Sequence, residues 1–120
     1  MRSAPLLLAV ALLAGCASGG TRPVDPDVDL YSPSGTRRAQ AVQLVADSGD
    51  RSYVPELIGL LDDRDETVRL QAHAALKEMT GHDTGYEPFA DRATRAGHVE
   101  QWRAWWADQA EAAAPSGEGP

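Results

Sequence analysis

Residues 52–79 read Ser52-Tyr53-Val54-Pro55-Glu56-Leu57-Ile58-Gly59-Leu60-Leu61-Asp62-Asp63-Arg64-Asp65-Glu66-Thr67-Val68-Arg69-Leu70-Gln71-Ala72-His73-Ala74-Ala75-Leu76-Lys77-Glu78-Met79. Val54, Leu57, Ile58 and Leu61 recur at i, i+3, i+4 and i+7, the period of one helix face rather than the alternation of a strand. Ser52 is placed to cap this helix, and Pro55 falls in its first turn, where a missing N–H costs little. The polar run Asp62-Asp63-Arg64-Asp65 is short, so the next helix must fold back beside the first. Asp65 is its expected cap, and Val68, Ala72, Leu76 and Met79 form its apolar stripe with Ala75 alongside. Gly81 can take the positive φ that ends it.

Working toward the N-terminus, a further helix is expected from Ser34 or Thr36. Its inner face is read as Ala41, Leu44, Val45 and Ser48, with Val42 at the edge and Arg37, Arg38, Gln40 and Gln43 toward solvent. Asp47-Ser48-Gly49-Asp50 supplies the stop. Laid over Thr67 to Leu76, the segment Thr36 to Val45 matches at Thr, Arg, Gln and Ala with an offset of thirty-one. Such an internal repeat, with Tyr53 to Asp62 completing the first unit, resembles the HEAT family of paired-helix solenoids. The resemblance covers 36–80. It implies an all-α fold: a short HEAT-like α-solenoid of antiparallel helix pairs, about four helices in all. It also implies a structural role for Asp62 and Arg69, which match the residues that tie the family's inter-repeat turn to neighbouring helices. Repeats of this kind mostly bind other macromolecules. One unit and part of a second cannot bury both sides of a stack, so residues 81–113 are expected to act as a loop and capping helix.

Ahead of the repeats, Arg2 precedes an apolar run from Ala4 to Leu13, which is too short to span a bilayer. Leu13-Ala14-Gly15-Cys16 follows at once and resembles the lipobox of bacterial lipoproteins. That resemblance implies a signal peptide over 1–15, cleavage before Cys16, and acyl chains on Cys16 that hold the chain to a membrane. Cys16 is the only cysteine in the protein, so no internal disulfide can form. Ala17 is not the aspartate that often retains such lipoproteins in an inner membrane. The expected place is therefore the cell envelope, with the periplasmic face of an outer membrane favoured in a host with two membranes. Residues 17–33, rich in Gly, Pro, Ser and Asp, are expected to be a disordered or extended tether; Leu30 and Tyr31 either dock on the first helix or stay exposed. The formal charge is −7, and removing Arg2 with the leader leaves −8. Such a chain repels nucleic acid, and no nucleic-acid partner is expected.

On the C-terminal side, residues 81–89 are a loop by composition, carrying Tyr86 and Phe89. A helix is expected from about Thr94, with Val99, Trp102, Trp106 and Gln109 on one face and Trp105 at its edge. The loop Gly81 to Pro88 and the segment Trp102-Arg103-Ala104-Trp105-Trp106 resemble the "Gly-x-Asp-x-Gly-Tyr-x-Pro" and "Trp-Arg-x-Trp-Trp" stretches of some bacterial envelope proteins with HEAT-like repeats. Tyr86, Phe89, Trp102, Trp105 and Trp106 are the candidate cap or interaction residues, and the tryptophans are most simply missing core mass. Residues 114–120 are expected to be a disordered tail. His82, Asp83 and His98 are the residues from which a hydrolase or metal-dependent enzyme would have to be built, although their spacing matches no compact zinc motif. No catalytic set, metal or cofactor is expected. The functional reading is an envelope-anchored binding or scaffolding module with an envelope protein as its partner.

Overall fold

A computed structural model describes residues 22–113, and every regular element among them is a helix. Helix α1 spans Pro26–Asp29 and α2 spans Gly35–Ser48. A 3₁₀ turn at Arg51–Tyr53 leads into α3, Val54–Gly59, which tightens into a second 3₁₀ turn at Leu60–Asp62. Helix α4 spans Glu66–Thr80 and α5 spans Arg92–Ala113. The leader, Cys16 and residues 114–120 lie outside the described residues. The principal packing is α2 against α4; α1 lies on α2, and α3 lies between α4 and α5. Val42, Val45, Val54, Leu57, Ile58, Leu61, Leu76 and Trp102 meet in one core.

The local punctuation follows the residues that were expected to supply it. Ser34 Oγ accepts from Arg37 N and Asp65 Oδ1 from Thr67 N, so each caps its helix. Gly49 and Gly81 close α2 and α4 at φ 67° and 69°, where a Cβ would be strained. Ser52 does not cap α3: no side chain caps that helix itself, and the 3₁₀ turn that leads into it is capped by Asp50. Its carboxylate accepts the Ser52 N–H, which turns the chain into the 3₁₀ turn two residues earlier.

The thirty-one-residue offset is a recurrence of hydrogen bonds as well as of letters. Ser32 Oγ accepts Ser34 N, and Asp63 Oδ1 accepts Asp65 N. The caps Ser34 and Asp65 stand at the same offset. Four residues after each comes a buried arginine: Arg38 Nη1 donates to the Ser32 carbonyl at 2.8 Å, and Arg69 Nη1 to the Asp63 carbonyl at 2.7 Å. Arg38 also grips the Asp63 carboxylate with Nε and Nη2, at 2.9 and 2.8 Å. One aspartate thereby joins the start of α4 to the start of α2. Leu30 and Leu61, a further pair at this offset, are both buried.

That clasp turns α2 away from the face expected for it. Arg38 was assigned to solvent but is buried, and it brings Ala41, Val42 and Val45 inward. Leu44 and Ser48, assigned inward, are exposed. His73, off the Ala72 and Leu76 stripe of α4, is buried beside Tyr86.

Part of the stretch expected as tether belongs to the folded domain. From Arg22 onward it is folded, with α1 capped by Asp25 and with Leu30 buried while Tyr31 is exposed. Its organising group is Asp29, fully buried within bonding distance of two guanidiniums. Arg22 reaches its carboxylate at 2.7 and 2.8 Å, Arg37 at 3.0 and 3.1 Å, and the Asp25 N–H at 2.8 Å. Bonds from Arg22 first, then Arg37 and the Asp25 amide, hold the Asp29 carboxyl well below the usual carboxylate range. A folded-state value below the unfolded one means that the unfolded chain takes up protons first as pH falls. The clasp should therefore contribute fully above about pH 4 and be lost as pH falls below it. Thermal melts at pH 6 and pH 3 check this: Asp29→Asn should be less stable than the parent at pH 6, and the gap should narrow at pH 3.

Candidate functional site: the loop and the aromatic cap

The loop after α4 is drawn inward by one tyrosine. Tyr86 is buried and its hydroxyl donates to the Leu61 carbonyl at 2.5 Å, closing an orphan acceptor at the end of the α3 turn. Burial pushes the Tyr86 hydroxyl above its ordinary pKa. Arg69 fixes the far end of the loop by donating Nε to the Pro88 carbonyl at 2.8 Å. Phe89, the next residue, points out and is 67% exposed.

The three candidate enzyme residues, two on this loop and His98 on α5, turn to different neighbours. Asp83 turns to α4, where its Oδ1 lies 3.0 Å from His73 Nε2; this contact is the leading reason its carboxyl sits below the usual range. His98 Nδ1 meets Thr84 Oγ1 at 2.8 Å. His82 stacks flat on Trp105, with centroids 4.1 Å apart, and stands edge-on to Trp102 at 4.9 Å. Each is thus engaged with a different neighbour, and none of them shares a hydrogen bond with another. Among the described residues no group of three or more His, Cys, Asp or Glu side chains is placed to hold a metal ion.

Helix α5 docks in the same register as α2 and α4, an equivalence that the thirty-one-residue offset does not reveal. Asp91 is its cap, accepting Thr94 N, and Arg95 stands four residues on, as Arg38 and Arg69 do after theirs. Arg95 Nη1 returns to the Ala90 carbonyl. Its Nε lies 3.4 Å from Asp62 Oδ1, in ion-pair contact but not aligned for a hydrogen bond. Eleven residues after the three caps come Val45, Leu76 and Trp102, all fully buried. The sequence signal that could have found this is Asp or Ser followed four residues later by Arg and eleven later by a large apolar residue. Asp62 and Arg69 both tie the turn, to α5 and to the loop respectively. Asp63, which the sequence reading did not single out, carries the buried pair with Arg38.

The tryptophans divide by depth. Trp102 is wholly buried, and its Nε1 has no hydrogen-bond partner among the described residues. Trp105 and Trp106 pack against the core while partly exposed, and the Arg51 guanidinium lies 5.5 Å from the Trp106 ring centre. Gln109 and the rest of the final turns stand in solvent. A shallow groove of about 420 Å³ runs between α2 and α4, lined by Thr36, Gln40, Gln43, Asp65, Thr67 and Gln71. These surfaces present side-chain amides, hydroxyls and exposed rings. No known protein family matches the chain, and comparison with curated proteins and with solved structures likewise finds no match.

Proposed function

We propose that this chain is a binding or scaffolding module: a short HEAT-like solenoid held to the bacterial envelope by acyl chains on Cys16. The observation that carries the reading is the recurrent unit. A capped helix and a buried arginine reaching back six residues recur at thirty-one residues, and Asp63 bridges the starts of the two helices. Units built this way stack, and stacked helices make extended surfaces for macromolecular partners. The division of His82, Asp83 and His98 among separate contacts favours this reading over a hydrolase or metal-dependent enzyme.

The anchor belongs to the proposal through Leu13-Ala14-Gly15-Cys16, and Ala17 favours the outer membrane. The described residues begin at Arg22, so residues 17–21 lie between the lipidated cysteine and the described domain. Five residues span at most about 18 Å, so the domain would ride close to the lipid surface with α1 nearest to it. Intact-mass measurement of the membrane-extracted protein should find an acylated N-terminal Cys16; an unmodified N-terminus elsewhere rejects the anchor. In-cell crosslinking of the anchored protein should recover one envelope protein repeatedly. Recovery of none across growth conditions counts against scaffolding.

A further inference from the structure

Between the end of α1 and α3 lies an open pocket of about 340 Å³, walled by Leu30, Tyr31, Pro55, Gly59 and Leu60 and holding one acid, Glu56. Leu30 is buried, whereas Tyr31 stands out at 68% exposed. Glu56 Oε2 is shut off from solvent, yet it has no hydrogen-bond partner among the described residues. A carboxylate oxygen can only accept, so the group that completes it must donate. No basic side chain is among the described residues that line the pocket. The arginines of the neighbouring elements are engaged elsewhere: Arg22 and Arg37 bond Asp29, and Arg51 lies against Trp106. Tyr53, one turn ahead of Glu56, donates its hydroxyl to Asp27 and so holds a second carboxylate against the start of α3.

We propose that this pocket receives a lysine or arginine side chain from a protein partner. The aliphatic stem lies on Pro55 and Leu60 beside the Tyr31 ring, and the charged end bonds the Glu56 carboxylate. Charge complementarity selects this occupant: an acid without a cation asks for a charged donor, and a charge-assisted bond is the strong kind. The apolar walls narrow the choice further. They disfavour a hydrated metal ion and suit a hydrocarbon stem. Among protein side chains only lysine and arginine join such a stem to a permanently charged donor. An ethanolamine headgroup also carries an ammonium, but its phosphate would be repelled by Asp27. The terminal torsion of a glutamate is broad and two-fold, so either oxygen can be turned to the ligand. The exposed Tyr31 ring adds a face on which a cation can rest. This deepens the binding-module reading and rests on it for one point, that the side chain belongs to a protein. The preference for a cation on an aliphatic stem comes from the pocket itself.

The test titrates Nα-acetyl-lysinamide into the full chain in detergent micelles and follows the backbone amides by nuclear magnetic resonance. Shifts should gather at Leu30, Tyr31, Glu56, Gly59 and Leu60. Nα-acetyl-norleucinamide keeps the stem and lacks the ammonium, and it should bind about tenfold more weakly; Glu56→Gln should weaken the lysine probe to a similar degree. Tyr31→Ala, at an exposed position, should weaken it less. Circular dichroism checks that both variants keep their helices. Equal binding of the two probes, or binding unchanged by Glu56→Gln, would show an apolar hollow without preference for a cation and overturn the proposal. Shifts spread over the acidic surface would show diffuse charge attraction and overturn it too, as would the absence of any shift. Tighter binding of phosphoethanolamine than of the lysine probe would give the pocket to a lipid headgroup and overturn the protein partner. In-cell crosslinking judges the binding module separately: a partner recovered equally by the parent and by Glu56→Gln would keep that reading and remove this pocket from it.

Discussion

Replacing Trp102 with alanine is expected to cost the domain about 3–5 kcal/mol. The side chain is completely buried where α5 meets α3, in the position that Val45 and Leu76 hold in the other two registered helices. Removing an indole leaves a void that the surrounding helices cannot close, and His82 loses the ring it stands against. A loss of this size is a large part of ordinary domain stability. Urea unfolding followed by far-ultraviolet circular dichroism measures it. Trp102→Phe should cost distinctly less than alanine, because it keeps most of the ring and removes an indole N–H that has no partner among the described residues. Trp105→Ala should also cost less, since that residue is only partly buried. If Trp102→Ala kept the parent's stability and lost only association with a partner, Trp102 would be an interaction residue and not the cap of the core.

Arg38→Ala should be destabilising to a similar degree, about 3–5 kcal/mol, because it strands a charge. The Arg38 and Asp63 side chains are only 7% and 9% exposed. Without the guanidinium, Asp63 keeps a single bond from the Asp65 amide, and the Ser32 carbonyl loses its donor. Lysine should not rescue the position, since a single ammonium cannot reproduce the two-point grip on the carboxylate together with the third bond to Ser32. Joint replacement, Arg38→Met with Asp63→Leu, should recover much of the loss, because the stranded partner goes with it. Arg103→Ala is the contrast: its pair with Glu100 is 58% and 74% exposed and should be worth less than about 1 kcal/mol. A double-mutant cycle across Arg38 and Asp63 that returned no coupling would reject the clasp as a determinant of the fold.

The sequence alone was enough for whatever depends on a residue and its near neighbours. The all-helical class, the stripe Val68, Ala72, Leu76 and Met79 with Ala75 alongside, the cap Asp65, a first helix starting at Ser34 or Thr36, and the stops at Gly49 and Gly81 all follow from spacing within a turn or two of helix. So does the thirty-one-residue offset, because it compares the chain with itself. Tertiary structure decided everything that depends on which charge meets which. Composition marks residues 22–33 as spacer, yet Asp29 finds Arg22 and Arg37 and the segment folds. Arg38 reads as a solvent residue until Asp63, twenty-five positions away, supplies the partner that makes its burial affordable, and α2 then turns Leu44 outward. His73, His82 and His98 look alike as letters; one meets a carboxylate, one a tryptophan face and one a threonine hydroxyl. An apolar period can be read along one helix because the helix sets its geometry. A buried ion pair cannot, because desolvating either charge alone is unfavourable and only the folded chain brings both to the same place.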